Sequence, residues 1–156
     1  MENKKRVKRN YIIIILSLIL IAGLGSVFVN LGMDWFETLK KPTQFIPNFL
    51  IPIMWTIIYL TYGIILCLWS WKEEIDTRTK FLLVLNGLLN LLWCLTFFTF
   101  NLTFLGLVFI VLLLISSYFL IFSIKDYNKI YFYFGLIYPI WVSLATTLNL
   151  SLWILN

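Results

Sequence analysis

From Phe81 to Ile124 the chain carries no Asp, Glu, Lys or Arg, and from Ile130 to Asn156 there is none either. Uncharged runs of that length cannot supply the polar surface that a water-soluble fold needs. They suit a chain whose solvent is lipid, where ~20 apolar residues rising ~1.5 Å each cross a ~30 Å hydrocarbon core. Composition points the same way. The chain is 62% hydrophobic and 12% charged, against roughly 45–50% and ~25% in soluble domains. Its 156 residues suit a single domain. The expected fold is all-α, an integral membrane bundle of five transmembrane helices.

Hydropathy places these helices at about 11–31, 48–71, 81–100, 104–124 and 130–155, behind a basic tail at 1–10. The first run continues through Val27, Phe28 and Val29, past the ~7–15 residues of a signal-peptide core, and reads as a retained helix. The connections are short, apart from the loop at 32–47, and short connections imply antiparallel neighbours. Basic residues then set the orientation. Lys4, Lys5, Arg6, Lys8 and Arg9 in the tail fall on one side with Lys72, Arg78, Lys80, Lys125 and Lys129. Only Lys40 and Lys41 fall on the other. The positive-inside rule puts the N-terminus in the cytoplasm, and the 32–47 loop and C-terminus outside. The formal charge of +5 is thus explained by topology and contact with anionic membrane lipid, with no nucleic acid implied.

Several chemistries lack their parts. The chain has no His and no charged residue inside helices three to five, so proton-coupled pumping, acid–base hydrolysis and metal catalysis are not indicated. Cys67 and Cys94 form no CxxC pair and read as small buried side chains. What remains is aromatic and amide. Trp55, Tyr59 and Tyr62 share a face of helix two, Asn86, Asn90 and Trp93 a face of helix three, and Trp141, Ala145 and Asn149 a face of helix five. Amides are costly against acyl chains, so Asn86, Asn90 and Asn149 should turn inward. Such stripes fit two readings: interhelical hydrogen bonding that holds the bundle, or a flat-walled pocket for a planar, mostly apolar molecule.

Three segments resemble the tryptophan-rich sensory protein / translocator protein family (TspO/MBR). They are WFETLKKPTQFIPNFLIPIMWTIIY from Trp35 to Tyr59, LNGLLNLLWCLTFF from Leu85 to Phe98, and YPIWVSLATTLNLSLWILN from Tyr138 to Asn156. Their order and spacing match the family's loop, its L-N-x-x-x-N-x-x-W helix and its W-x-x-F-A-x-x-L-N helix. The resemblance implies five transmembrane helices, homodimerisation and a pocket beneath the first loop. It further implies a receptor or carrier for porphyrin or haem-like tetrapyrroles, with sterol-like lipids and isoquinoline carboxamides as other planar hydrophobic ligands. No cofactor is required; the tetrapyrrole is the ligand. A bacterial cell membrane is the implied location. Two other classes stay open: a light- and oxygen-dependent porphyrin-degrading enzyme, and a regulatory membrane subunit without a ligand.

Position by position, the resemblance assigns to the pocket Trp35, Phe36 and Pro47 from the loop, Trp55 and Tyr59 from helix two, and Asn90, Trp93 and Cys94 from helix three. Trp141 and Ala145 come from helix five. Trp55 and Trp141 match the pair tied to porphyrin photodegradation. The chain departs from the pattern at Phe36 (usually Tyr), Gln44 (usually aromatic), Ile46 (usually Pro) and Cys94 (usually Ser). These departures bear on ligand preference and leave the fold intact.

Overall fold

The computed structural model describes residues 2–156 apart from Gln44, Phe45 and Asn48, with the backbone alone at Glu2. The described chain consists of helices and connections, with no strand: α1 (Glu2–Leu31), α2 (Met33–Thr38), α3 (Leu50–Lys72), α4 (Thr77–Cys94), α5 (Thr103–Tyr127), α6 (Lys129–Gly135) and α7 (Ile137–Leu155). A π-helical turn, Leu95–Thr99, continues α4. Among the described residues five helical segments are long and apolar enough to cross a membrane, the fifth being α6 and α7 together.

The helices exceed the expected bounds where local chemistry extends them. α1 starts at Glu2 because no breaker separates the Lys- and Arg-rich tail, made of good helix formers, from the apolar run. α4 starts at Thr77 because Asp76 caps it: its carboxylate accepts from the Thr79 backbone N–H at 2.9 Å and from Thr79 Oγ1 at 2.6 Å. α2 is a short helix inside the expected loop, stopped before Pro42.

α6 and α7 divide at Leu136 for a reason visible in the sequence. Pro139 has no N–H to give the carbonyl four residues back, which is Gly135. That freed oxygen is taken by the Tyr62 hydroxyl from α3, at 3.2 Å. In a bilayer, no water would otherwise satisfy it.

The helices pack as a ring. α1 packs on α3 and α4, α4 on α5, α5 on α6 and α7, and these last two on α3. Ile110, Leu113, Ile121 and Ile124 of α5 are fully buried. α1 is peripheral, and Ile12, Ile13, Leu16, Ile19 and Leu20 face outward, as suits contact with lipid. Nowhere among the described residues does α4 bring a Cα within 8 Å of α3 or of α7. The interior between those helices is filled by side chains.

Asn86, Asn90 and Asn149 are all buried, as the amide stripes require. Asn86 donates to Ser116 Oγ of α5 at 2.7 Å and accepts from the Tyr138 hydroxyl of α7. Thr79 and Ser123 join α4 to α5 nearer the basic end.

Burial acts to raise the Asp76 carboxyl, and the hydrogen bonds from Thr79 outweigh it, so the group lies below the ordinary carboxylate range. A carboxyl depressed in the folded state contributes stability above its unfolded pKa and loses it as pH falls through the folded value. Asp76→Ala should therefore lower stability at neutral pH by ~0.5–2 kcal/mol. The gap from wild type should close in acid, as unfolding of both proteins in detergent across pH will reveal; a gap that is constant into acid would contradict the cap.

Candidate functional site

Aromatic rings from four elements converge at the α2 end of the ring. Trp55 of α3 lies 5.9 Å from Trp93 of α4, and Trp93 lies 6.0 Å from Phe98 on the π turn. Phe36 of α2 packs on Phe98 at 5.5 Å and on Phe97 at 6.3 Å. Trp141 and Ala145 of α7 complete the wall. Together these side chains line a cavity of about 30 Å³, closed further by Ile46, Ile51, Leu148 and Leu152. Trp93 Nε1 donates to Asn149 Oδ1 at 3.1 Å, and the Asn149 amide nitrogen donates to the Ala145 carbonyl at 2.9 Å. The Trp93–Asn149 bond ties α4 to α7 across a gap that their backbones do not bridge.

A second cavity of about 60 Å³ lies deeper, lined by Tyr59, Tyr62, Asn86, Asn90 and Tyr138 among others. Trp55 partitions the two. It stacks on Tyr59 at 5.9 Å and meets the edge of Tyr138 at 6.1 Å.

The sequence-assigned residues therefore divide. Phe36, Trp55, Trp93, Trp141 and Ala145 share the loop-end cavity. Tyr59 and Asn90 belong to the deeper one. Cys94 is buried beside Asn90, with its thiol 3.8 Å from Asn90 Oδ1, and lines neither. Trp35 is half-buried with its ring 5.5 Å from Phe97, behind the wall. Pro47 is half-buried next to the lining residue Ile46. Gln44 lies outside the described residues.

Phe97 and Phe98 are wall residues that the stripes did not single out. They reach the cavity because the π turn adds a residue to the repeat, bonding the Phe100 N–H to the Leu95 carbonyl at 3.0 Å. A 3.6-residue periodicity cannot register that shift. The clasp by Asn156 was equally hidden: its side chain accepts from the Lys40 N–H at 2.9 Å and donates to the Lys40 carbonyl at 3.2 Å. This holds the loop to the end of α7. At the rim, Lys41 pairs with Glu37 at 2.7 Å and lies over the Phe36 ring.

α2 is seated through Gly32. A Cβ there would fall 1.9 Å from the Phe98 carbonyl oxygen. Both sides of that contact are backbone, so neither can yield cheaply.

Comparison with known proteins gives a consistent set. A model of the TspO/MBR family matches residues 13–154. The Tryptophan-rich protein TspO of Archaeoglobus fulgidus is 31% identical over 145 residues, 91% of this chain and 94% of that protein. The Chlorobaculum tepidum protein of the same name is 32% identical over 136 residues, 85% of this chain and 86% of the relative. Protein CrtK of Rhodobacter capsulatus is 30% identical over 128 residues, 78% of each.

Gly32→Ala should cost ~1–3 kcal/mol, the range for overpacking, and alter the near-ultraviolet dichroism of the aromatic cluster. Gly23→Ala is the control, since its Cβ meets nothing within 4 Å; in a helix it should be neutral or stabilising by up to ~1 kcal/mol. Equal behaviour of the two variants would refute the seating of α2 on the π turn.

Proposed function

The chain belongs to the TspO/MBR family, and we propose that this integral membrane protein is a receptor or carrier for planar tetrapyrroles, porphyrin or haem-like, bound in the loop-end cavity. The observation that carries this reading is the convergence of Trp55, Trp93 and Trp141, from three different helices, on one cavity under Phe36. Flat rings on several sides favour a flat ligand through stacking and burial. With no charged side chain in the wall among the described residues, a tetrapyrrole would keep its carboxylates at the rim, near Lys40 and Lys41.

The cavity is much smaller than the ~300–1,000 Å³ typical of ligand sites. Binding therefore requires α2 to lift from Phe97 and Phe98. The contacts that resist this include the ring packing of Trp35 and Phe36, the seating of Gly32 on Phe98 and the Asn156 clasp.

Trp55 and Trp141 would also touch a bound porphyrin's ring, so light-dependent loss of the porphyrin in air is expected to depend on them. The distribution of basic residues supports an N-terminus in the cytoplasm and a C-terminus outside. Reporter fusions at Met1 and Asn156 test that arrangement; two cytoplasmic readings would exclude it.

Titration of the detergent-solubilised protein with a dicarboxylate porphyrin, followed by tryptophan quenching, tests the site. Trp55→Ala should weaken binding at least about tenfold, as loss of a buried aromatic anchor does. Lys41→Ala should change it by no more than about fivefold, since an exposed ion pair contributes ~0–1 kcal/mol. Equal affinity in wild type and Trp55→Ala, with the fold intact, would place the ligand elsewhere.

A further inference from the structure

A groove of about 390 Å³ runs along the outside of the bundle between α1 and α3, larger than either interior cavity. Ile15 and Ile19 of α1 and Leu60 and Ile64 of α3 form its rims, and all four are exposed. Its floor is low because Ala22, Gly63 and Cys67 carry little side chain or none. No charged side chain lines it among the described residues.

The groove lies within one leaflet. α1 and α3 run in opposite directions, so Ile15 and Cys67 are the lining residues nearest the basic end, at Arg9 and Lys72. At ~1.5 Å per residue they lie about 7–9 Å from that end, and the groove continues roughly 10–12 Å further, to Ala22 and Tyr59. Half of a hydrocarbon core is ~15 Å thick. The groove therefore follows the path of an acyl chain from the leaflet at the basic end.

Both walls continue towards the headgroups with different chemistry. Back along α1 from Ile15, at helical spacing, the same face carries Tyr11, Lys8 and Lys4. Forward along α3 from Cys67 it carries Trp71, which is exposed. Tyr and Trp suit the membrane–water boundary. Lys4 and Lys8 are exposed and have no ion-pair partner among the described residues. Arg6 and Arg9 fall on the other side of α1. There Lys80, and behind it Arg6 and Arg9, hold the Glu74 carboxyl below its ordinary range. The cations above the groove are the uncompensated ones.

We propose that the α1–α3 groove binds one anionic phospholipid of the leaflet at the basic end, with an acyl chain over Gly63 and Cys67 and the charged head at Lys4 and Lys8. This site is separate from the loop-end cavity and does not depend on the ligand bound there. The groove accepts any acyl chain, and the two lysines choose the head, as basic pockets between transmembrane helices do. A second copy docked on this face about a two-fold axis along the membrane normal would set its own Lys4 and Lys8 against these, like charge against like. The lipid supplies the opposite charge.

Native mass spectrometry of the protein titrated with phosphatidylglycerol or phosphatidylcholine of identical chains reads the preference. Wild type should hold the first phosphatidylglycerol about tenfold more tightly, as two lysines at an anionic head allow. Lys4→Gln/Lys8→Gln should bind the two lipids alike. Arg6→Gln/Arg9→Gln removes equal charge from the other side of α1 and should keep the preference. Placement is read without any variant. A phosphatidylglycerol carrying a diazirine in its acyl chain, irradiated in nanodiscs, should crosslink to the groove residues of α1 and α3. Excess phosphatidylglycerol should suppress these crosslinks, and phosphatidylcholine should not. Equal affinity of wild type for the two lipids would overturn the proposal. Equal loss of preference in both double variants would do so too, since it reduces the effect to general attraction. Crosslinks spread evenly over the lipid-facing helices would also overturn it. So would a dimer that buries α1 and α3 and excludes the lipid, which would assign the groove to a second copy.

Discussion

α4 meets α3 and α7 of this bundle through aromatic and amide side chains where the backbones stay apart. Among the described residues α4 brings no Cα within 8 Å of α3 or α7, yet Trp55 packs on Trp93 and Trp93 bonds Asn149. Lipid exclusion adds little to helix association, because acyl chains are as apolar as leucine. Close packing and hydrogen bonds must do it. In the α4–α5 seam the usual device is present, with small polar residues such as Thr79, Ser116 and Ser123 at the contact. Between α4 and its neighbours α3 and α7 large rings replace it. Rings keep the helices apart, and the space so held is the cavity.

The same shortage of water explains how the backbone is handled. Pro139 frees a carbonyl at Gly135, and the Tyr62 hydroxyl takes it. Tyr62 in turn packs edge-on to Tyr138, whose hydroxyl reaches Asn86, whose amide reaches Ser116. One proline thus leads into a chain of contacts that runs from α3 through α7 and α4 to α5. Removing any member leaves a polar group in a medium without substitutes, so the network fixes which faces meet.

Much of this was legible in the sequence. Uncharged runs gave five membrane helices, and i, i+4 spacing put Trp55, Trp93, Trp141 and the three asparagines inward, where they are found. Two features were not. Periodicity assumes a regular helix, so the π turn that brings Phe97 and Phe98 into the wall left no trace in the stripes. Spacing along one helix also cannot say which indole finds an acceptor in another. Trp93 and Trp141 look alike as inward tryptophans, and only the position of Asn149 separates them. Tyr59 and Asn90 were assigned to one pocket with Trp55, but the Trp55 ring stands between that pocket and theirs. A shared helix face does not specify depth when a large side chain divides the space.

α7 joins these features. It carries the cavity wall at Trp141 and Ala145, the tie to α4 at Asn149, and, just past its end, the clasp on Lys40 at Asn156. A helix transmits a displacement along its length far better than a loop does. A molecule pressing on Trp141 therefore pushes on the same rigid body that holds the loop closed. The loop is gripped from its other side by Gly32 at the start of α2, by Phe36 and by the π turn that continues α4, none of them part of α7. The two grips answer to different helices, so separating α7 from α4 at the cavity strains the clasp before it disturbs the seating of α2. Opening should then begin at the Lys40 side of the loop and proceed towards Phe36, with the rim lysines the first part of the site to move.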